Sequence, residues 1–113
     1  MMAIRRLEDL PMSVANWCLR VAEDSRYSAA TIRTAIYLAR QADETGVVGI
    51  DPNGRPIAEP RSVAAALDIG ESTVFKALTA LDRDGVIEWS KANIAERFQG
   101  VTGRVRLILS ESE

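Results

Sequence analysis

The chain has 113 residues, 47 % of them hydrophobic and only 5 % aromatic, and it carries a formal net charge of −2. This length suits a single domain with a modest core, and the prevalence of aliphatic residues and alanine favours a helix-rich architecture. No apolar run approaches the ~20 residues that span a bilayer, so we expect no membrane association, and the absence of histidine excludes a histidine-based metal site.

The first predicted helix covers residues 13–24, with Ser13 as its N-cap, and follows a flexible arm over residues 1–12. Its apolar residues share one face: Val14, Trp17, Cys18 and Val21. This face either covers the core of the domain or forms a homodimer interface with Trp17 as its anchor. The single cysteine has no neighbouring base to activate it and forms no internal disulfide, which indicates a core residue in a reducing cytoplasm.

A second helix is predicted over residues 28–44, with Ser28 as its N-cap and Gly46 just beyond its end. Its buried side is marked by Ile32, Ala35, Ile36 and Ala39. Three arginines recur every seven residues, namely Arg26, Arg33 and Arg40. Because seven residues are close to two helical turns, these arginines lie near one face of the helix. That face is either solvated or directed at phosphate or an acidic partner.

Residues 47–51 predict a short strand, followed by the turn pair Asn53-Gly54. Residues 55–58 are compatible with a second short run after this turn, which Pro56 restricts to an edge strand or an irregular segment. We therefore expect a small β element at the edge of the domain, after which Pro60 opens the next helix.

Two helices separated by a tight break are predicted over residues 60–68 and 71–84. The first buries Val63, Ala64 and Leu67. In the second, four apolar residues fall at i, i+3, i+4 and i+7 and predict one buried stripe: Val74, Ala77, Leu78 and Leu81. Gly70 lies in the break, and Gly85 is placed to close the second helix in a left-handed conformation.

A hairpin over residues 86–109 follows, and residues 111–113 are a solvated tail. In its second strand, Val105, Leu107 and Leu109 share one face by the two-residue period. Four basic residues and one acidic residue lie between positions 91 and 106. The hairpin is therefore the basic part of a chain that is acidic overall, and phosphate contact depends on one face rather than on net charge.

The stretch LDIGESTVFKALTALDRDGVI, residues 67–87, resembles the helix-turn-helix of the winged helix-turn-helix family. The resemblance rests on Leu67, Gly70, Thr73-Val74, Ala77-Leu78, Leu81 and Gly85-Val86-Ile87. Upstream, residues 28–46 are similar to the first helix of plasmid- and phage-type replication initiators and small bacterial regulators. The fold implied is mainly α with a small β-hairpin (α+β), with residues 13–110 forming one winged domain that includes an extra amino-terminal helix.

The resemblance also implies sequence-specific binding to double-stranded DNA, without a cofactor, by a cytoplasmic, nucleoid-associated homodimer. Such a protein acts in transcription regulation, replication or partition. The helix over residues 71–84 would then enter the major groove, where every base pair presents a distinct donor and acceptor pattern.

With its aliphatic stripe buried, this recognition helix leaves six residues facing outward: Glu71, Ser72, Thr73, Phe75, Lys76 and Thr79. Ser72 and Thr73, at the helix N-terminus, suit phosphate or base-edge contacts. Lys76 suits a phosphate or a guanine, and Phe75 either packs on a thymine methyl or is partly buried. Glu71 departs from the basic or small residue that similar proteins often carry. Facing DNA, it either accepts from cytosine N4 or repels the backbone, and the alternative is that it complements the helix dipole.

Further DNA contacts are predicted outside this helix, at Arg61, Ser62, Arg97, Gln99, Arg104 and Arg106. The first two begin the preceding helix and are candidate backbone clamps, and Arg97 suits a narrow minor groove. Arg104 and Arg106 point away from the apolar face of the final strand, toward phosphate. Ordinary surface charge is the alternative for these basic residues.

No enzyme machinery is recognisable in the sequence. It contains neither a phosphate-binding glycine loop nor a dinucleotide fingerprint, and Asp82 and Asp84 point in different directions on a helix. The alternative to DNA binding is therefore a winged-helix protein-interaction module. The acidic total charge, Glu71 on the outer face and the Trp17 helix suit that alternative.

Overall fold

The computed structural model describes residues 9–49, 52, 56–90 and 104–109. Over these residues the chain forms four helices: α1 (Met12–Ala22), α2 (Ala29–Gln41), α3 (Pro60–Leu67) and α4 (Glu71–Arg83). Three short strands form one antiparallel sheet in the order β1-β3-β2: β1 (Val47–Val48), β2 (Ile87–Ser90) and β3 (Arg104–Leu107). The expected α+β class is confirmed. No described helix has the length and apolar character needed to cross a bilayer.

The starts of the first two helices differ in how they are capped. The Ser28 side chain accepts a hydrogen bond from the Thr31 N–H, as predicted. The predicted Ser13 cap is wrong, because Pro11 occupies the N-cap position and its carbonyl accepts from the Ala15 N–H at 2.9 Å. Pro11 is a suitable start because a missing N–H costs nothing before the first turn.

α2 ends at Gln41, earlier than the predicted residue 44, because the following residues turn back at once. Ala42 is extended and forms an isolated bridge with Val48. The Asp43 carboxylate accepts from the N–H groups of Thr45, at 2.8 Å, and Val47, at 3.0 Å. This local side-chain bonding competes with a further helical turn and directs the chain into β1.

The core lies between the four helices and the inner face of the sheet. Its largest fully buried side chains are Trp17, Leu38, Leu78, Leu81, Leu107, Val14, Val63, Val74, Val105 and Thr34. The buried stripe of α4 is confirmed at all four positions. In α2 the predicted buried side is confirmed at Ala35 and Ala39, whereas Ile32 and Ile36 are only partly covered. Leu38 and Thr34, which the prediction leaves out, are fully buried.

The described residues between positions 47 and 58 include the predicted edge strand, β1, and also contribute to the core. β1 pairs with β3, with Val48 opposite Val105, so all three strands belong to one sheet. Ile57 and Ala58 are buried in the core, and the Ile57 N–H donates to the Gly49 carbonyl at 3.0 Å. At these described positions the connection between α2 and α3 therefore packs against the domain.

Candidate nucleic-acid interface

α3 and α4 are joined by a three-residue turn over residues 68–70. Asp68 adopts the left-handed conformation, with φ 56 and ψ 48, and the Ile69 N–H donates to the Ala64 carbonyl at 3.1 Å. Aspartate visits this region more readily than most residues, so the turn needs no glycine there. Arg33 of α2 donates to the Leu67 carbonyl at 2.9 Å, which satisfies one of the free acceptors at the end of α3.

α4 packs its apolar stripe inward and directs a polar surface outward. Glu71, Ser72, Phe75, Lys76 and Thr79 are exposed, and Thr73 is half-buried. These are the six residues that the sequence assigns to the outer face. The helix closes as predicted, because Gly85 has a φ of +75 immediately after the Asp84 cap.

The N-terminus of α4 presents backbone donors without a side-chain cap. Gly70 occupies the N-cap position, and its carbonyl accepts from the N–H groups of Thr73 and Val74. Within the described part of the chain, the N–H groups of Glu71 and Ser72 make no hydrogen bond. Together with the positive end of the helix dipole, such donors favour an anion.

An open depression of about 500 Å³ lies beside this N-terminus. It is lined by Pro60, Glu71, Ser72, Phe75 and Lys76. The start of α3 and the first turns of α4 therefore form one concave surface that carries a hydroxyl, a carboxylate, an ammonium group and an apolar ring. Next to Pro60, Arg61 is exposed and Ser62 is half-buried.

Phe75 contacts Trp89 of β2 in an edge-to-face arrangement, with ring centroids 5.1 Å apart and an interplanar angle of 74°. Trp89 is buried, whereas Phe75 keeps 46 % of its surface exposed. Phe75 is thus partly packed and partly exposed. The sequence leaves two alternatives for this ring, partial burial or contact with a thymine methyl group, and this position is compatible with both. The Trp89 backbone N–H also donates to the Asp82 carboxylate at 3.3 Å, so β2 is tied to α4 twice.

Sequence reasoning did not identify Trp89 as part of this surface. Trp89 is two residues from Ile87 on the inward face of β2, and that spacing is the available signal for its burial. Its contact with Phe75 joins two separate elements, which periodicity within one element does not predict.

On the sheet, Arg104 and Arg106 both lie on the exposed face of β3. Arg106 lies opposite Glu88 and forms an ion pair with it at 3.2 Å. Both side chains of this pair are about half exposed or more, and such pairs contribute only ~0–1 kcal/mol, so the guanidinium can exchange partners. The predicted contacts Arg97 and Gln99 lie outside the described residues.

Two of the three regularly spaced arginines, Arg26 before α2 and Arg33 within it, make contacts within the chain. Arg26 pairs with Asp24 at 2.8 Å, and this guanidinium lowers the pKa of Asp24 to about 2. Arg33 is bound to the end of α3, as described above. Both side chains remain exposed, which agrees with the solvated alternative, and their contacts also connect neighbouring turns of the chain.

The four residues predicted for a dimer interface face inward. Val14, Trp17, Cys18 and Val21 are buried in the core of a single copy, with exposures of 0 %, 0 %, 9 % and 2 %. Trp17 also donates its indole N–H to the Val86 carbonyl at 2.8 Å. The interface interpretation is wrong for these side chains, because they already pack within one chain. Burial also raises the pKa of the Cys18 thiol, which keeps it in its unreactive form.

Among the described residues, no three potential metal-binding side chains cluster together. Comparison of the chain with protein-family models, with curated proteins and with solved structures finds no match.

Proposed function

We propose that this protein is a winged helix-turn-helix protein that binds double-stranded DNA through α4. The order helix, strand, helix, helix, strand, strand runs from α2 to β3, and the sheet order is β1-β3-β2. In this arrangement α3 and α4 form the helix-turn-helix, β2 and β3 form the wing, and α1 is the extra helix.

The observation that carries the proposal is the two-sided character of α4. One side is buried at every apolar position, and the other exposes Ser72 and Lys76 beside uncapped backbone N–H groups. A phosphate at the helix N-terminus satisfies these donors, and Lys76 adds a cation one turn further along. Arg61 on α3 and Arg104 on β3 extend the set of exposed cations.

The process served by such binding is transcription regulation, replication or partition, in a cytoplasmic, nucleoid-associated protein. A homodimer on a pseudo-palindromic site would hold two α4 helices about 34 Å apart. Its interface would use side chains other than the four buried in α1. Met12 and Leu19, 76 % and 58 % exposed, lie seven residues apart on the outer surface of that helix.

The experiment is selection of bound duplexes from a random pool, followed by fluorescence anisotropy of the selected duplex at increasing salt. We expect a preferred sequence and an affinity that falls steeply with salt, because each neutralised phosphate contributes about −0.9 to the slope of log K against log salt. An absence of duplex binding at low salt would overturn the proposal.

The second candidate function is a winged-helix module for protein interaction. It is favoured by the exposed Met12 and Leu19, by the carboxylate of Glu71 on the outer face and by the net charge of −2. Under this candidate, α4 binds no duplex at low salt, and alanine at Met12 and Leu19 weakens association with a partner protein while leaving the fold intact.

A further inference from the structure

Glu71 and Phe75 lie one helical turn apart on the outer face of α4. At this spacing their Cβ atoms are about 5–6 Å apart, and both side chains line the same depression. A carboxylate and an aromatic ring are thus placed side by side at the surface that the proposed function directs into the major groove.

Each of the two groups selects a different feature of a base edge. An ionised carboxylate only accepts hydrogen bonds, so Glu71 is matched by an amino group and opposed by the O4 of thymine or the O6 and N7 of guanine. An exposed aromatic ring makes apolar contact with the 5-methyl group of a pyrimidine. The Trp89 contact at 5.1 Å restricts where the Phe75 ring can lie.

Cytosine presents its amino group on C4. In 5-methylcytosine, the methyl group on the adjacent C5 lies directly beside that amino group. We propose that Glu71 and Phe75 form one base-reading subsite for a 4-amino group next to a 5-methyl group. The methyl group belongs either to the same base, 5-methylcytosine, or to a thymine that adjoins a cytosine. This inference rests on the proposed DNA binding and names the chemistry that α4 reads.

Lys76 supports the same assignment, because it lines the depression with the other two residues. The guanine paired with that cytosine presents O6 and N7, the acceptors that an ammonium group binds in the major groove. One C·G pair therefore offers a partner to both the carboxylate and the ammonium group.

The test compares duplexes that differ at one pyrimidine position of the selected site. Each position carries cytosine, 5-methylcytosine, thymine or uracil in turn, and the Kd of the wild-type protein is measured by anisotropy. At one position we expect 5-methylcytosine to bind about fourfold tighter than cytosine, which corresponds to the burial of one methyl group. If the methyl group comes from an adjoining thymine, replacing that thymine by uracil removes the methyl group and should weaken binding about fourfold.

Variants then assign the two features to the two residues. In Phe75→Leu and Phe75→Ala we expect the difference in Kd between methylated and unmethylated duplexes to be lost, while cytosine is still preferred to thymine. In Glu71→Gln we expect the preference for cytosine over thymine to shrink. Thr79→Ala is the control, since Thr79 is exposed on the same helix but does not line the depression. A duplex that binds without any 5-methyl effect overturns the subsite and leaves the DNA-binding proposal standing, whereas failure to bind any duplex overturns both.

Discussion

The indole N–H of Trp17 in α1 donates to the carbonyl oxygen of Val86, which lies 69 residues further along the chain. The same carbonyl accepts from the Ile108 N–H at 3.0 Å. Val86 immediately precedes the first residue of β2, so this hydrogen bond connects α1 to the start of that strand. α1 is therefore part of the domain core.

Replacing Trp17 by phenylalanine retains an aromatic ring but removes the donor to Val86. We expect a loss of about 1–3 kcal/mol in the free energy of unfolding, from the lost hydrogen bond and the smaller ring. Urea denaturation measures it. Met12→Ala, on the exposed side of the same helix, should change stability by no more than ~0.5 kcal/mol. Equal effects of the two substitutions would contradict the account of α1.

Gly46 is the turn residue between α2 and β1, and its φ of +90 disfavours any side chain. A Cβ there would lie 2.6 Å from the Leu107 carbonyl oxygen, and the Leu107 N–H donates to the Gly46 carbonyl at 2.7 Å. Gly46→Ala should therefore cost at least ~2 kcal/mol, since strain and a backbone clash combine.

Gly49 gives a matched control for this turn, because a Cβ at Gly49 meets nothing within 4 Å. We expect Gly49→Ala to stay within about 0.5 kcal/mol of the wild type in the same thermal or urea unfolding experiment. A Gly46→Ala protein as stable as Gly49→Ala would contradict the close approach of Leu107 in β3 to Gly46.

Tyr27 links the α1–α2 connection to the end of α4, because its hydroxyl donates to the Asp84 carboxylate at 2.8 Å. This hydrogen bond is the largest cause of the lowered pKa of Asp84. In Tyr27→Phe we expect the pKa of Asp84 to rise toward its ordinary value, as measured by NMR titration of the carboxyl carbon. Asp43, whose pKa is lowered by Thr45, should not change and serves as the control.

The same substitution has a defined pH signature in stability. A carboxylate whose pKa is lower in the folded state stabilises the protein above its unfolded pKa of about 3.9, and this contribution is lost as pH falls through the folded pKa. The difference in stability between the wild type and Tyr27→Phe should therefore be present near neutral pH and shrink in acid. A difference that stays constant down to the lowest pH would exclude the Asp84 contact as its source.

Lys76 and Arg20 provide a matched pair of exposed cations on different helices. Lys76→Ala should weaken binding to the selected duplex, and it should also reduce the salt slope by about 0.9 where Lys76 contacts a phosphate rather than the guanine of the subsite. Arg20→Ala on α1 should leave both quantities unchanged. Equal losses in the two variants would indicate a general charge effect rather than a contact by α4.

Sequence periodicity predicts the parts of the fold that depend on neighbours along the chain. The α4 stripe, the Ser28 cap and the left-handed Gly85 follow from spacing and residue type alone. The buried face of α2 follows only in part: Ala35 and Ala39 are buried as predicted, but Thr34 is fully buried although it is polar. Its hydroxyl donates to the Ala30 carbonyl at 2.9 Å, so burial leaves no donor unsatisfied, and an apolar pattern misses the residue.

The candidate site is likewise predictable from the sequence only in part. The outward residues of α4 follow from its buried stripe, whereas the contact of Phe75 with Trp89 depends on how β2 packs against the helix. The pairing of β1 with β3 likewise joins segments more than 50 residues apart, which local turn signals do not specify. For α1, the sequence gives the buried stripe but leaves open whether its partner is the same chain or a second copy.

The most direct test of the central claim is an amide NMR titration of the protein with the selected duplex. We expect the largest shift changes at the N–H groups of Glu71 and Ser72 and along the outer face of α4, including Lys76, with the buried stripe moving less. The amides of Leu19 and Arg20 on α1 should move little. Changes confined to α1, or no change at low salt, would contradict the assignment of α4 as the surface that binds DNA.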